Sequence, residues 1–144
     1  MTRSRSLLVT GIAIVGAFVL GRALEAQTAT EQPSSRVFEM RTYTAHEGKL
    51  DELHARFRDY TVKLFEKHGM TNIGYWTPAD EPGSQNTLIY IIAHESRDAA
   101  KKNWEAFGKD PAWQKARAAS EENGKLVSKV ESVYMTPTDY STMK

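Results

Sequence analysis

The residues whose types could do chemistry are four histidines, an acid and a base two positions apart on a predicted strand, and a set of tyrosines and tryptophans. His54 comes first among them. At 100° per residue it lies within about 50° of the centre of an apolar helical stripe that includes Leu50, Leu53, Phe57 and Thr61, which turns it toward the space beneath its helix. An imidazole there titrates near neutral pH and could serve as a catalytic acid, base or ligand contact. The same position equally suits a hydrogen-bonded boundary residue. His68 shares that side, but 14 positions at 1.5 Å each set the two about 21 Å apart, too far to chelate one metal. His46 and His94 fall at strand ends or in loops. No histidine pair has the two- or four-residue spacing of a metal site, and there is no cysteine to act as thiolate nucleophile, metal ligand or disulfide partner. Neither a metal nor a cofactor is expected.

Glu39 and Arg41 share one face of the first strand, as residues two apart must. Lys129 and Glu131 share a face of the last strand, so one expectation is a ladder of opposite charges lining the interior of a barrel. The other is that the Arg41 guanidinium, with its fork of donors, recognises a carboxylate or another anion. Tyr43, Tyr75, Tyr90 and Trp104 are candidates for an aromatic ligand pocket, beside Arg41 and His54. Aromatic residues such as Trp104 and Trp113 also serve as packing anchors. No nucleophile elbow, phosphate-binding glycine loop or nucleotide motif is present.

These residues are positioned by a β-α-β-β-α-β order. Residues 36–44 alternate as a strand, with Phe38, Met40 and Thr42 on one side and Val37, Glu39, Arg41 and Tyr43 on the other. Residues 47–68 predict one long helix stopped by Gly69. Strands are expected over 70–77 and 86–95, with a turn across 78–85. The centre of the third strand, Leu88 to Ala93, is apolar throughout, as in a strand covered on both faces. A second helical region begins near Ser96 or Asp98 and restarts at Asp110-Pro111, a cap residue followed by a first-turn proline. It closes at Asn123-Gly124, and residues 125–135 alternate as the last strand. This is the α+β, ferredoxin-like arrangement, an antiparallel sheet with both helices on one face. Its other face needs a cover, which homodimerisation would supply economically.

The chain has 144 residues, with 40% hydrophobic and 26% charged, proportions of a folded domain and not of a disordered chain. Arg3 and Arg5 precede an apolar run from Leu7 to Leu20, too short for a stable span of about 20 residues. With Ala26 as a small cleavage residue, positions 1–26 predict a secretory signal and 27–35 a flexible linker. An exported protein, periplasmic or extracellular and without a stable membrane span after cleavage, is expected. Retention of the segment as an anchor is the alternative. Setting aside Arg3, Arg5, Arg22 and Glu25 from 19 basic and 18 acidic residues leaves 16 and 17, so no nucleic-acid footprint follows.

Residues Val37 to Thr44 followed by Gly48-Lys49-Leu50 resemble the opening of NIPSNAP domains. Ile73-Gly74-Tyr75-Trp76, Trp104-Glu105-Ala106-Phe107, Asp110-Pro111-Ala112-Trp113 and Pro137-Thr138-Asp139-Tyr140-Ser141 continue the likeness in order, over roughly residues 36–141. The resemblance implies a dimeric α/β barrel, within a superfamily of cofactor-free monooxygenases, haem-binding enzymes and isomerases. It implies no agreed reaction. Three readings follow: a dimer that binds a small hydrophobic molecule, a cofactor-independent oxygenase or isomerase acting on a hydrophobic substrate, and a protein-interaction module.

Overall fold

The computed structural model describes residues 36–144, so the predicted signal over 1–26 and the linker over 27–35 lie outside the described residues. Four strands, Val37–Ala45 (β1), Thr71–Trp76 (β2), Thr87–His94 (β3) and Val127–Met135 (β4), form one antiparallel sheet in the order β2-β3-β1-β4. With a helical region after β1 and another after β3, this is the expected ferredoxin-like topology, the fold of dimeric α/β-barrel proteins.

The first helix is not regular. Leu50–Arg56 (α1) and Val62–Lys67 (α2) are joined by a π-helical turn, Phe57–Thr61, which periodicity alone did not reveal. There the Thr61 hydroxyl donates to the Arg56 carbonyl at 3.2 Å. Gly69, at φ 73°, ends the rod with Met70 N–H bonded to Phe65 O and Gly69 N–H to Glu66 O, a Schellman stop. The expected turn before β3 includes one short helix, Gly83–Asn86 (α3). Arg97–Lys109 (α4) is capped by Ser96, and Pro111–Ser120 (α5) by Asp110, whose carboxylate accepts from Ala112 N–H at 2.7 Å. The predicted restart is where the chain breaks.

Leu53, Phe57, Phe65, Leu88, Tyr90, Ile92 and Leu126 are buried in one core between helices and sheet. Phe57 meets Tyr43, Phe65, Tyr75 and Tyr90 with ring centroids 5.2 to 6.2 Å apart. The opposite sheet face carries Met40, Ile89 and Ile91, with Trp76 and Val133 each 51% exposed. A Cβ at Gly74 would collide with the Trp76 ring, which lies across it on this face.

Strand register corrects one expectation. Pairing sets Glu39 opposite Tyr134 and Arg41 opposite Ser132 on the helix side, but Thr42 opposite Glu131 and Thr44 opposite Lys129 on the outer face. The two charge pairs therefore lie on opposite faces, and the four-membered ladder does not form. Lys129 and Glu131 pair with each other at 3.0 Å, largely exposed.

Candidate functional site

Two polar centres occupy the layer between helices and sheet. At the first, β1 carries Glu39 beneath α4, where its carboxylate is 1% exposed. It accepts from Trp104 Nε1 at 2.6 Å, the Ser132 hydroxyl at 2.7 Å, His94 Nε2 at 3.1 Å and Arg41 at 3.2 Å. Burial would raise its pKa, but the bonds from His94, Ser132 and Trp104 and the charge of Arg41 prevail and bring it to about 2. His94 Nε2 faces Glu39 and its Nδ1 faces the Asn103 amide at 3.4 Å, and that amide also donates to Gly69 O, which closes the network. The Arg41 guanidinium lies 4.2 Å from the Trp104 ring centroid. Its Nε is buried without a hydrogen-bond partner.

The second centre borders a cavity of about 320 Å³ between the first helix, α5 and the start of β4. Tyr43, Phe57, Phe65, Phe107, Trp113 and Val127 make its apolar wall, and Arg56, Thr61, Arg117, Glu121 and Lys125 its polar one. The π turn is what shapes it. An α-helical wheel puts Arg56 about 100° from the centre of the apolar stripe, yet the wider turn buries the consecutive residues Arg56 and Phe57 together, each 5% exposed. One Arg56 terminal nitrogen donates to Glu121 at 3.0 Å and Ser120 at 3.3 Å, and its guanidinium lies 5.3 Å from the Trp113 ring centroid. Arg56 Nε is buried and has no partner. Glu121 also accepts from Arg117 Nε at 3.3 Å. Burial would raise its pKa, but the two arginines hold it below the usual carboxylate range.

Of the residues singled out from the sequence, Tyr43 lines this cavity. Tyr90 is fully buried and donates to the Tyr43 hydroxyl at 3.1 Å, and Tyr75 stacks on Tyr90 with centroids 5.5 Å apart. Burial pushes both the Tyr75 and Tyr90 phenols above their ordinary range. Arg41 and Trp104 belong to the Glu39 centre. His54 Nε2 lies 3.2 Å from the Thr77 hydroxyl just beyond β2, away from the cavity. His68 and Lys67 both reach Asp110 at 2.7 Å, tying α2 to the cap of α5. Sequence reasoning passed over Arg56 and Glu121, because an arginine and a glutamate in polar stretches of amphipathic helices read as solvated surface. Among the described residues no group of three or more histidines and carboxylates could hold a metal ion, and no helix is long and apolar enough to cross a membrane.

Known structures share this architecture. A NIPSNAP family protein from Agrobacterium tumefaciens superposes with TM-score 0.66 at 22% identity, covering 76% of this chain and 99% of that one. A NIPSNAP-like domain protein from Burkholderia xenovorans gives TM-score 0.65 at 16% identity, covering 75% and 90%. SnoaB, a cofactor-independent oxygenase from Streptomyces nogalater, is similar at TM-score 0.50 and 14% identity over 76% and 99%, a likeness of fold alone. No curated protein matches the chain. The profile of the NIPSNAP family matches residues 38–142, nearly the whole of the described domain. Sheet order, helix placement and this match agree, and the chain belongs to the NIPSNAP family.

Proposed function

We propose that this NIPSNAP protein is an exported homodimer that binds a small molecule in the cavity between its first helix, α5 and β4. One observation carries the reading: at the edge of an aromatic cavity stands a buried guanidinium, Arg56, with a donor that no protein atom meets. Buried donors are nearly always satisfied, and this one has no partner within the protein, beside a cavity that Arg56 itself borders. A volume of about 320 Å³ lies at the lower end of the range for small-molecule sites. Native mass spectrometry of gently purified protein, followed by denaturing release, is expected to show a retained small molecule. Protein that carries none and takes up no aromatic probe at millimolar concentration would overturn the reading.

The dimer is supported by the outer sheet face, where Met40, Ile91, Trp76 and Val133 form an apolar surface on strands whose other side is already core. Sedimentation at micromolar concentration is expected at twice the chain mass, and a monomer there would count against it. Export is supported by the basic flank and short apolar run of residues 1–26. The protein recovered from its native host is expected to begin at Gln27.

A further inference from the structure

Resting on the cavity as a ligand site, we propose that its occupant is an organic monoanion, an aromatic body carrying one carboxylate whose head docks against Arg56. The body follows from the wall. Phe57, Phe65, Phe107 and Trp113 present rings already set edge-on or tilted to one another, with Phe107 and Trp113 centroids 4.5 Å apart. Flat apolar groups complete such arrangements by offset or edge contacts, whereas a sugar or another polyol would leave its hydroxyls unpaired against them.

The head follows from the charges. Arg56, Arg117 and Lys125 border the cavity around a single carboxylate, Glu121, while Lys129, at the sheet edge, is already paired with Glu131. Glu121 is shared between Arg56 and Arg117, so this end carries a surplus of positive charge. A cationic ligand would be repelled, and a neutral one would leave the surplus unanswered. Arg56 commits one terminal nitrogen to Glu121 and Ser120, and Nε is buried without a partner. Of the three cations only Arg56 is buried, while Arg117 and Lys125 are exposed, so the site shelters one anionic charge. A phosphate monoester would bring a second charge that only exposed cations could answer.

The test is calorimetric titration of the intact mature protein with matched acids and amides, phenylacetate against phenylacetamide and 2-naphthylacetate against 2-naphthylacetamide, with 2-naphthyl phosphate beside them. The acids are expected to bind about tenfold more tightly than their amides at low salt, with the ratio shrinking as salt rises. Arg56→Met is expected to bring the ratio close to one while the amide still binds. If that variant fails to fold, Arg117→Gln and Lys125→Gln, both at exposed residues, are expected to lower the ratio in part. An amide that binds as well as its acid in the unaltered protein would overturn the anionic head and leave the cavity reading intact. Tighter binding of the naphthyl phosphate would overturn the carboxylate. If neither member of either pair binds, the cavity reading itself fails.

Discussion

Glu39 and Arg56 are charged groups sealed in the same layer, 1% and 5% exposed, yet their surroundings answer them differently. Around Glu39 the Trp104, Ser132 and His94 side chains and a guanidinium converge on two oxygens, two on each. Around Arg56 one nitrogen is engaged, another has no partner, and the residue borders a cavity. Burial alone therefore does not separate a structural charge from a binding one. Arg41 Nε at the Glu39 centre is likewise without a partner, so the distinction lies in the cavity that Arg56 borders and the further cations around it.

The largest break in this comparison is expected at Glu39. Glu39→Ala leaves the Trp104, His94 and Ser132 donors and the Arg41 charge without their acceptor, and denaturant unfolding at fixed protein concentration should show a loss of about 3–5 kcal/mol. The same carboxylate should make the protein acid-sensitive. Its pKa is depressed from 4.5 to about 2, so the stability it contributes is fully present above pH 4.5 and is lost as pH falls toward 2. By linkage that contribution is about 3 kcal/mol, and the difference in unfolding free energy between unaltered protein and Glu39→Gln should shrink by about that much as pH falls from 6 to 2.

Arg56→Met should cost less, about 1 kcal/mol, because methionine fills apolar space and Glu121 keeps Arg117. A loss as large as that of Glu39→Ala would erase the contrast between the two centres. The smallest effect is expected at His54. His54→Ala removes a partly exposed bond to Thr77, and thermal unfolding should move by no more than about 1 kcal/mol, with affinity for the aromatic acids unchanged. A selective loss of affinity there would return His54 to the site.

Much of the scaffold was legible because local chemistry and global pattern agree in it. Gly69 stops a helix, Asp110-Pro111 restarts one, and the unbroken apolar centre of β3 marks a strand between two layers. Glu39 and Arg41 share a face by the period of the strand, as the sequence requires. What lay across β1 from them depended on the register with β4, and a shift of one residue exchanges faces, so Lys129 and Glu131 were placed with the wrong partners. Arg56 was illegible for another reason. Its burial depends on a backbone irregularity that leaves no mark in composition, and its partner Glu121 stands 65 residues away, just past the end of α5.

The π turn at Phe57–Thr61 also gives the cavity a particular genetic exposure. One residue fewer would let this stretch wind as ordinary α-helix while the two halves of the rod keep their facing, because a π turn absorbs one extra residue without passing its rotation of about 100° on to the next turn. Leu50, Leu53 and Phe65 would still face the sheet together, and what would be lost is the local widening that buries Arg56 beside Phe57. Arg58 and Asp59 are solvent-exposed and tolerant of exchange in kind. Deletion of either codon would therefore spare the apolar core and disturb the charged wall of the cavity, a change that substituting either residue does not make.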